Sequence, residues 1–586
     1  MRYIFFLSGI LLSGCTHKDL RQPAGATDIH IHLISTSDLH GYLLPEKSPA
    51  GLTIGGIDTL QAYFKIAKDI DPQTLLLDEG DLFQGTIISN SADGVPVVKW
   101  MNAAGYTATA IGNHDFDFGP GHGHSTVRVS GEDPLGALKG RISEANFDFL
   151  SANICSIKED PGGCEDPNSF LVASFAKPFK SVKIWGINIA IIGLTTVSTP
   201  STTMPSNVAD LRFMPLKPSL ERQVTLAKQQ GAQMILLLMH DGGECKAHGD
   251  CESSGAIFKL IDSLSPETKK SLPLILGGHT HNDVNVLYHG VRVVIPACEG
   301  KVIAYTDLAY HPLDQSVTVE ATQNVDVCPQ VFANTKSCFK GSGDLTAGQF
   351  LGEEVHRDPD ALKSIAEDIK AAEDKANTTV GRLLSGLTKE AKPESSLGDF
   401  VTDAMRNCQN EGCDKPVDFA FYNDTGFRTG NIAQGDVTYG EVFEALPFDN
   451  SYALVYLTGL QIHDLIESWL GYAHVMPQIS GLKINFTEHG APRTMSNKAK
   501  QSKTLPDPIL SMTTTNGEPI EESKTYSVAL PDFLASGGSG MAFVMNQVPV
   551  QIFYGRMVRD VVIDYFKSQP KGLDYSQGDK RLIQSQ

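Results

Sequence analysis

The chain alternates short apolar runs with segments whose apolar residues recur every three or four positions. HIHLIST (30–36) reads as a strand, and GGIDTLQAYFKIAKDI (55–70) follows with Ile57, Leu60 and Phe64 at helical spacing. TLLL (74–77) is the next strand. SLERQVTLAKQQG (219–231) reads as a helix stopped by Gly231, followed by the strand QMILLLM (233–239), and LPLIL and VRVVI come after it. Strands alternating with helices predict an α/β layered unit over residues 25–327.

The pattern then changes. A Cys-bounded, Gly-containing stretch (328–349) leads into DPDALKSIAEDIKAAEDKANTT (358–379), with Leu362, Ile365, Ile369 and Ala372 on one face and charge elsewhere. That amphipathic pattern predicts a solvated connecting helix, so 328–379 reads as a linker. A second, smaller mixed α/β unit is expected over 380–570. A chain of 586 residues is too long for a single core, in keeping with two units. No internal repeat is present.

Composition is that of a globular protein, 41% hydrophobic and 20% charged, with a formal net charge of −20. That charge argues against a nucleic-acid polymer as partner, because phosphates need a basic face. Small phosphorylated ligands stay open, since a metal cluster supplies positive charge locally. The opening MRYIFFLSGILLSGC has one Arg before an apolar run too short to span a bilayer comfortably. Leu12-Ser13-Gly14-Cys15 resembles a bacterial lipobox, which implies removal of residues 1–14, acylation of Cys15, and a tethered rather than spanning protein on the periplasmic or surface side of a bacterial envelope. An uncleaved leader or a simple signal peptide is the alternative.

Ten cysteines fit an exported chain. Apart from Cys15, eight fall into close pairs, Cys155/Cys164, Cys245/Cys251, Cys328/Cys338 and Cys408/Cys413, leaving Cys298 over. Local disulfides are expected in an oxidising compartment. CKAHGDC (245–251) also reads as a Cys/His metal site.

Five apolar runs in the first unit end in polar clusters: Asp38-Leu39-His40, Asp81, Asn113-His114, His240, and His279-Thr280-His281. Ligands of layered α/β proteins gather beyond the carboxyl ends of strands, so these clusters are expected to converge. Asp38 and His40 alternate, as do His279 and His281, which would put each pair on one face of an extended segment. Asp, Asn and His donors suit Zn, Mn, Fe or Co, and seven of them exceed the needs of one ion. Two ions would clamp a phosphoryl group.

DLHG, GDLFQG, GNHDFD, the His240 cluster and GGHTH, in that order, resemble the motifs of calcineurin-like metallophosphoesterases and, more narrowly, of the 5′-nucleotidase family. The resemblance implies a four-layered metallophosphoesterase β-sandwich flanked by helices, with a smaller mixed α/β substrate-binding domain joined by a linker helix. It implies that Asp38, His40, Asp81 and His281 hold one metal, and Asp81, Asn113, His240 and His279 the other. It also implies a dyad in which His114 faces the phosphate and Asp117 orients it. Asp117 as a helix cap is the alternative. Asp115 is expected to be structural, and GPGHGH (119–124) an exposed loop. Asn153 stands at a family position near the phosphate, with turn capping an equal reading.

The resemblance continues through the second unit. YNDTGFRTG (422–430) places Asn423 and Arg428 toward phosphate or nucleoside, and LPFDN and LPDFLASGGSG offer Phe448 and Phe533 as a base sandwich. There are two departures. Where relatives carry Arg, this chain has Lys389 or Lys392, which lack the guanidinium fork, and Ser539 stands where relatives often have an Asp that grips the ribose. The expected function is an exported dimetal phosphohydrolase, monomer or homodimer, acting on nucleoside 5′-monophosphates. The alternatives are a 2′,3′-cyclic phosphodiesterase/3′-nucleotidase, a nucleotide-sugar hydrolase, or an inactive surface-binding protein that keeps the scaffold.

Overall fold

The computed structural model describes residues 28–585 except 122–126, 128–129, 247–249, 252–254, 391–392, 409–415, 429–430, 471–476, 488–506, 577 and 579. Cys15, Lys392, Cys413 and most of GPGHGH therefore lie outside the described residues.

Two six-stranded sheets face each other in the first unit. Its elements are β1 (Ile29–Thr36), α1 (Ile57–Ile70), β2 (Leu75–Asp78), α2 (Val95–Ala104), β3 (Ala108–Ala110), β4 (Asp148–Leu150), β5 (Phe179–Ile184) and β6 (Ile187–Thr195). They continue with α3 (Leu216–Gln229), β7 (Met234–His240), α4 (Ala256–Ser263), β8 (Leu274–Gly277), β9 (Asp283–Tyr288), β10 (Val291–Pro296), β11 (Val302–His311) and β12 (Ser316–Asp326). The first sheet has the order β12-β11-β1-β2-β3-β4 and the second β9-β10-β8-β7-β6-β5. β1 to β4 pair in parallel, and β11 closes antiparallel on β1.

Side-chain alternation explains the layers. Ile31, Leu33, Leu75 and Leu77 point between the sheets, where they meet Leu236, Leu238, Leu274 and Leu276. Ile34 and Leu76 point the other way, under Ile57, Leu60 and Phe64 of α1 and Trp100 of α2. Ile235, Leu237 and Met239 of β7 likewise turn outward beneath Leu220 and Val224 of α3 and Ile257 and Ile261 of α4. Strands covered on both faces lose polar alternation, which is why QMILLLM reads as a continuous apolar run. The result is helix, sheet, sheet, helix, the four-layered sandwich expected from sequence.

The predicted connecting helix is interrupted. Pro359–Ile365 is a 3₁₀ segment, and only α5 (Ala366–Ala376) is α-helical. Ile365 and Ala372 are buried, with Leu362 and Ile369 half-buried against the first unit's outer core, so the face read from the spacing is the one that packs.

The second unit contains α6 (Ser396–Arg406), β13 (Phe419–Asn423), β14 (Ser451–Thr458), α7 (Gly459–Leu470), β15 (Pro477–Ser480), β16 (Leu482–Thr487) and β17 (Ile509–Thr514). It continues with β18 (Thr525–Pro531), β19 (Val550–Met557), α8 (Val558–Ser568) and β20 (Leu582–Ser585). A five-stranded sheet, β15-β13-β18-β14-β19, is covered on one face by α6 and α8 and on the other by α7. β20 pairs in parallel with β16, which carries this unit past the boundary at residue 570 expected from sequence. Four residues after a polar stretch give too short a periodic signal to read as a strand.

Disulfides join Cys155–Cys164, Cys245–Cys251 and Cys328–Cys338, and Cys408 is also disulfide-bonded. The pairing of Cys245 with Cys251 removes both thiolates from the alternative metal reading of CKAHGDC.

β20 is locked by Arg581. This residue is 3% exposed, and its guanidinium reaches Asp403 at 2.8 Å, Asp399 at 3.5 Å and the Ile479 carbonyl at 2.9 Å. Removing one partner of a buried ion pair strands the other charges, at a cost of about 3–5 kcal/mol. Arg581→Ala should lower the denaturation midpoint of the second unit accordingly in urea, followed by tryptophan fluorescence. An unchanged midpoint would mean that β20 does not support this unit.

Candidate metal centre

The polar clusters at the strand ends meet beyond β1, β2, β3, β7 and β8. Two groups form, Asp38 with His40 and His281, and Asp81 with His240 and His279. Asp81 Oδ2 lies 3.1 Å from His240 Nε2 and 3.8 Å from His40 Nε2, so one carboxylate faces both groups. Asn113 Oδ1 is 3.1 Å from His240 Nε2, which brings a neutral oxygen into the second group. His281 Nε2 stands 3.5 Å from Asp38 Oδ1 and 3.1 Å from His40 Nε2.

The backbone geometry departs from the sequence expectation. Asp38 and His40 do not share the face of an extended segment, and neither do His279 and His281. All four have positive φ, at 49°, 47°, 68° and 55°, and Asp81 is at 56°. Left-handed turns at these positions, not strand alternation, swing the side chains inward. Such conformations cost of order 1–3 kcal/mol each and persist only where the surroundings enforce them. Hydrogen bonds do so here: Asp38 N to Gly80 O, His40 N to Asp81 O and Gly41 N to Leu82 O, at 2.9–3.0 Å, zip the two loops together. Gly112 is needed for close approach, since a Cβ there would lie 2.1 Å from Asp81 Oδ1.

Each ring is aimed by its other nitrogen. His40 Nδ1 is 2.7 Å from the Gln84 carbonyl and His240 Nδ1 is 2.7 Å from the Glu79 carbonyl, which leaves Nε2 facing inward in both. Asp38 and Asp81 are 0% and 1% exposed. Burial alone would raise both carboxyls, but hydrogen bonding from His281 holds Asp38 low, and the His240 charge holds Asp81 well below the usual range. Burial drives His40 down to about 3, so its lone pair is free to coordinate. His240 is raised to about 10 and His281 to about 11, because Asp81 and Asp38 respectively outweigh burial. Two buried carboxylates thus demand positive charge among nitrogen and oxygen donors, and the donor set fits divalent cations.

The next turn carries a second device. His114 opens a 3₁₀ turn over His114–Phe116, which brings Asp117 back so that its Oδ2 is 2.6 Å from His114 Nδ1. The Asp117 carboxylate is engaged by His114 and by Thr203, whose hydroxyl donates to Oδ1 at 2.7 Å, rather than by a helix N-terminus. Burial lowers His114, but Asp117 and Asp81 prevail and hold it above the usual imidazole range. Asp115 accepts from Leu82 N and Gly112 N, both at 2.8 Å, a structural role as expected.

A cavity of about 450 Å³ opens above this centre, lined by Asp81, Asn113, His114 and His281 from the first unit and by Asn423, Arg428, Phe448, Phe533 and Ser539 from the second. The Phe448 ring lies 5.8 Å from the His114 ring, tilted 37° to it, and the Arg428 guanidinium sits 5.1 Å over Phe448. Lys389 is tied to the Phe427 carbonyl at 2.8 Å and does not line the cavity. Asn153 does not reach it either. It is fully buried and bonds Thr195 N and O and Met214 O, 42 and 61 positions away, a long-range backbone clasp rather than a local turn cap, and its side chain is directed away from the cavity. Sequence reasoning missed Thr203, for which no motif signal exists, and the placement of Cys298, a free cysteine that helps to raise His281.

Residues 27–283 match the model of calcineurin-like phosphoesterases, and residues 375–546 that of the 5′-nucleotidase C-terminal domain. The chain is 26% identical to the trifunctional nucleotide phosphoesterase protein YfkN of Bacillus subtilis over 80% of its own length but only 30% of that protein. It is also 26% identical to the 5′-nucleotidase of Rattus norvegicus, over 89% of this chain and 83% of that one. The crystal structure of a 5′-nucleotidase precursor from Thermus thermophilus superposes with a TM-score of 0.69 at 22% identity, covering 95% and 99% of the two chains, and shares the fold. With a calcineurin-like phosphoesterase unit and a 5′-nucleotidase C-terminal domain together on one chain, this protein belongs to the 5′-nucleotidase family.

Proposed function

We propose that the chain is an exported phosphohydrolase that releases phosphate from nucleoside 5′-monophosphates. One arrangement carries the reading. Two donor groups facing a common Asp81 form the floor of the same cavity whose opposite wall carries Arg428, Phe448 and Phe533. Asp38, His40, Asp81 and His281 would hold one divalent ion, and Asp81, Asn113, His240 and His279 the other, with Zn, Mn, Co or Fe suited to these donors. Ions held there would polarise the phosphoryl oxygens and acidify water.

The chain's own residues supply the rest. His114, whose charged form is favoured by Asp117, stabilises negative charge that develops on the phosphoryl group or protonates the leaving oxygen. Arg428 offers a planar fork to phosphate. Phe448 and Phe533 present rings to a nucleobase, and stacking tolerates any base because each has a π face. Ser539, held in a left-handed turn with its carbonyl accepting from Trp469 Nε1 at 3.2 Å, takes the sugar side. The N-terminal residues 1–14 would direct export and Cys15 would carry the lipid. Among the described residues, no helix is long and apolar enough to cross a membrane.

Phosphate release should be measured over a panel of ribo- and deoxyribonucleoside monophosphates, cyclic nucleotides and nucleotide sugars with Mn²⁺, Zn²⁺ or Co²⁺. Turnover of the 5′-monophosphates is expected, and silence with metal bound would defeat the proposal. Preference for cyclic or sugar-linked substrates would favour the other phosphoesterase readings. On the same panel, Ser539→Asp should raise the ribo-to-deoxyribo ratio, and an unchanged ratio would remove Ser539 from the sugar. His114→Ala should lower kcat by about 10²- to 10⁴-fold while metal content, read by atomic emission, is retained. Parallel loss of metal would make His114 a ligand. Cys15→Ser should move the protein from the membrane fraction to the soluble fraction, and persistence in membranes would exclude the anchor.

A further inference from the structure

The opposite end of β1 carries chemistry that the reaction does not use. His30 and His32 alternate on the helix-facing side of β1, and in the antiparallel register His32 stands across from Asp307 of β11. His30 Nδ1 is 2.9 Å from Asp307 Oδ1, and His32 Nε2 is 3.6 Å from the same oxygen. These three groups each offer one donor atom, and the three atoms lie within 4.8 Å of one another. In a tetrahedral zinc site with bonds of about 2.0 Å, neighbouring donors stand about 3.3 Å apart, a spacing that the two distances bracket.

The surroundings are also those of a built site. The second nitrogen of His32, Nδ1, is held by Asp71 Oδ2 at 3.1 Å, which fixes the ring with Nε2 toward Asp307. Asp71 is itself secured by Gln73 N at 2.9 Å and by Trp185 Nε1 at 3.3 Å. A carboxylate gripping the far nitrogen of a histidine is the support that metal-ligating imidazoles ordinarily have. His30 keeps 40% of its side chain exposed, so an ion can enter and a water can fill the fourth position. Asp38 follows His32 by six positions, with the four β1 residues 33–36 between them, roughly 20 Å at most at strand rise, so this cluster is distinct from the metal centre.

We propose that His30, His32 and Asp307 form a further divalent-cation site, selective for zinc-like ions, with Asp71 as the positioning residue. An ion there joins the first strand of the sandwich to β11, across 277 positions of sequence between His30 and Asp307. Its role is to clamp the sheet, and turnover does not pass through it.

The test uses the full chain, stripped with chelator and titrated with Zn²⁺ by equilibrium dialysis. Wild type should bind one equivalent more than His30→Ala, and zinc should raise the wild-type Tm further than that of the variant. Phosphatase turnover of the two should agree. Asp71→Asn should keep the extra equivalent but bind it about 10- to 100-fold more weakly. Equal stoichiometry in wild type and His30→Ala would overturn the site, whatever the outcome at the catalytic centre. Unchanged affinity in Asp71→Asn would overturn the positioning role.

Discussion

Two carboxylates, Asp38 and Asp81, are buried side by side at the ends of β1 and β2, and the first unit is built around that fact. An isolated buried carboxylate costs several kcal/mol, so such a pair exists only where positive charge is supplied. Histidine nitrogens surround both, aimed by backbone carbonyls at their far sides. The price is backbone strain at Asp38, His40, Asp81, His279 and His281. Asp and His tolerate left-handed conformations better than most residues, so the donors themselves suit the turns that present them. The apolar layers beneath, covered on both faces, make the strand ends rigid enough to hold that strain.

The same charge reaches the next layer of chemistry. Asp81 accepts from the His114 backbone N–H at 2.7 Å, so the carboxylate that faces both donor groups also positions the histidine at the mouth of the cavity. Asp117 and Thr203 then fix the His114 ring. The second unit completes the enclosure from outside. Phe448 rests beside His114, and Asn90 Nδ2 donates to the Pro447 carbonyl at 3.0 Å, so the loop that carries this ring is registered against the first unit. Side chains from both folding units thus meet in one cavity.

Much of this was legible along the chain. The runs TLLL and QMILLLM announce strands because buried parallel strands have no polar face to confuse the pattern, and HIHLIST announces one by its alternation. The polar residues that follow each run announce the site, since a strand that ends in Asp or His has nowhere to put it except a shared crevice. The break in the connecting helix was not legible. Pro359 at its start and the packing of Ile365 favour a tighter turn, while periodicity in sequence does not separate a 3₁₀ segment from an α-helix. Nor was β20, whose pairing depends on a neighbour about a hundred residues away.

By itself the sequence determined the two-unit α/β architecture, the donor types and their order, and the pairing of close cysteines, because these follow from local spacing and side-chain chemistry. Tertiary structure decided the rest. It replaced the extended face expected for Asp38 and His40 with left-handed turns, since only the contact with the β2 loop selects that conformation. It turned Asn153 from the cavity into a backbone clasp, because its partners Thr195 and Met214 arrive from distant strands and loops. And it set His30 and His32 against Asp307 and Asp71, a juxtaposition written in strand register and invisible to any reading along one chain.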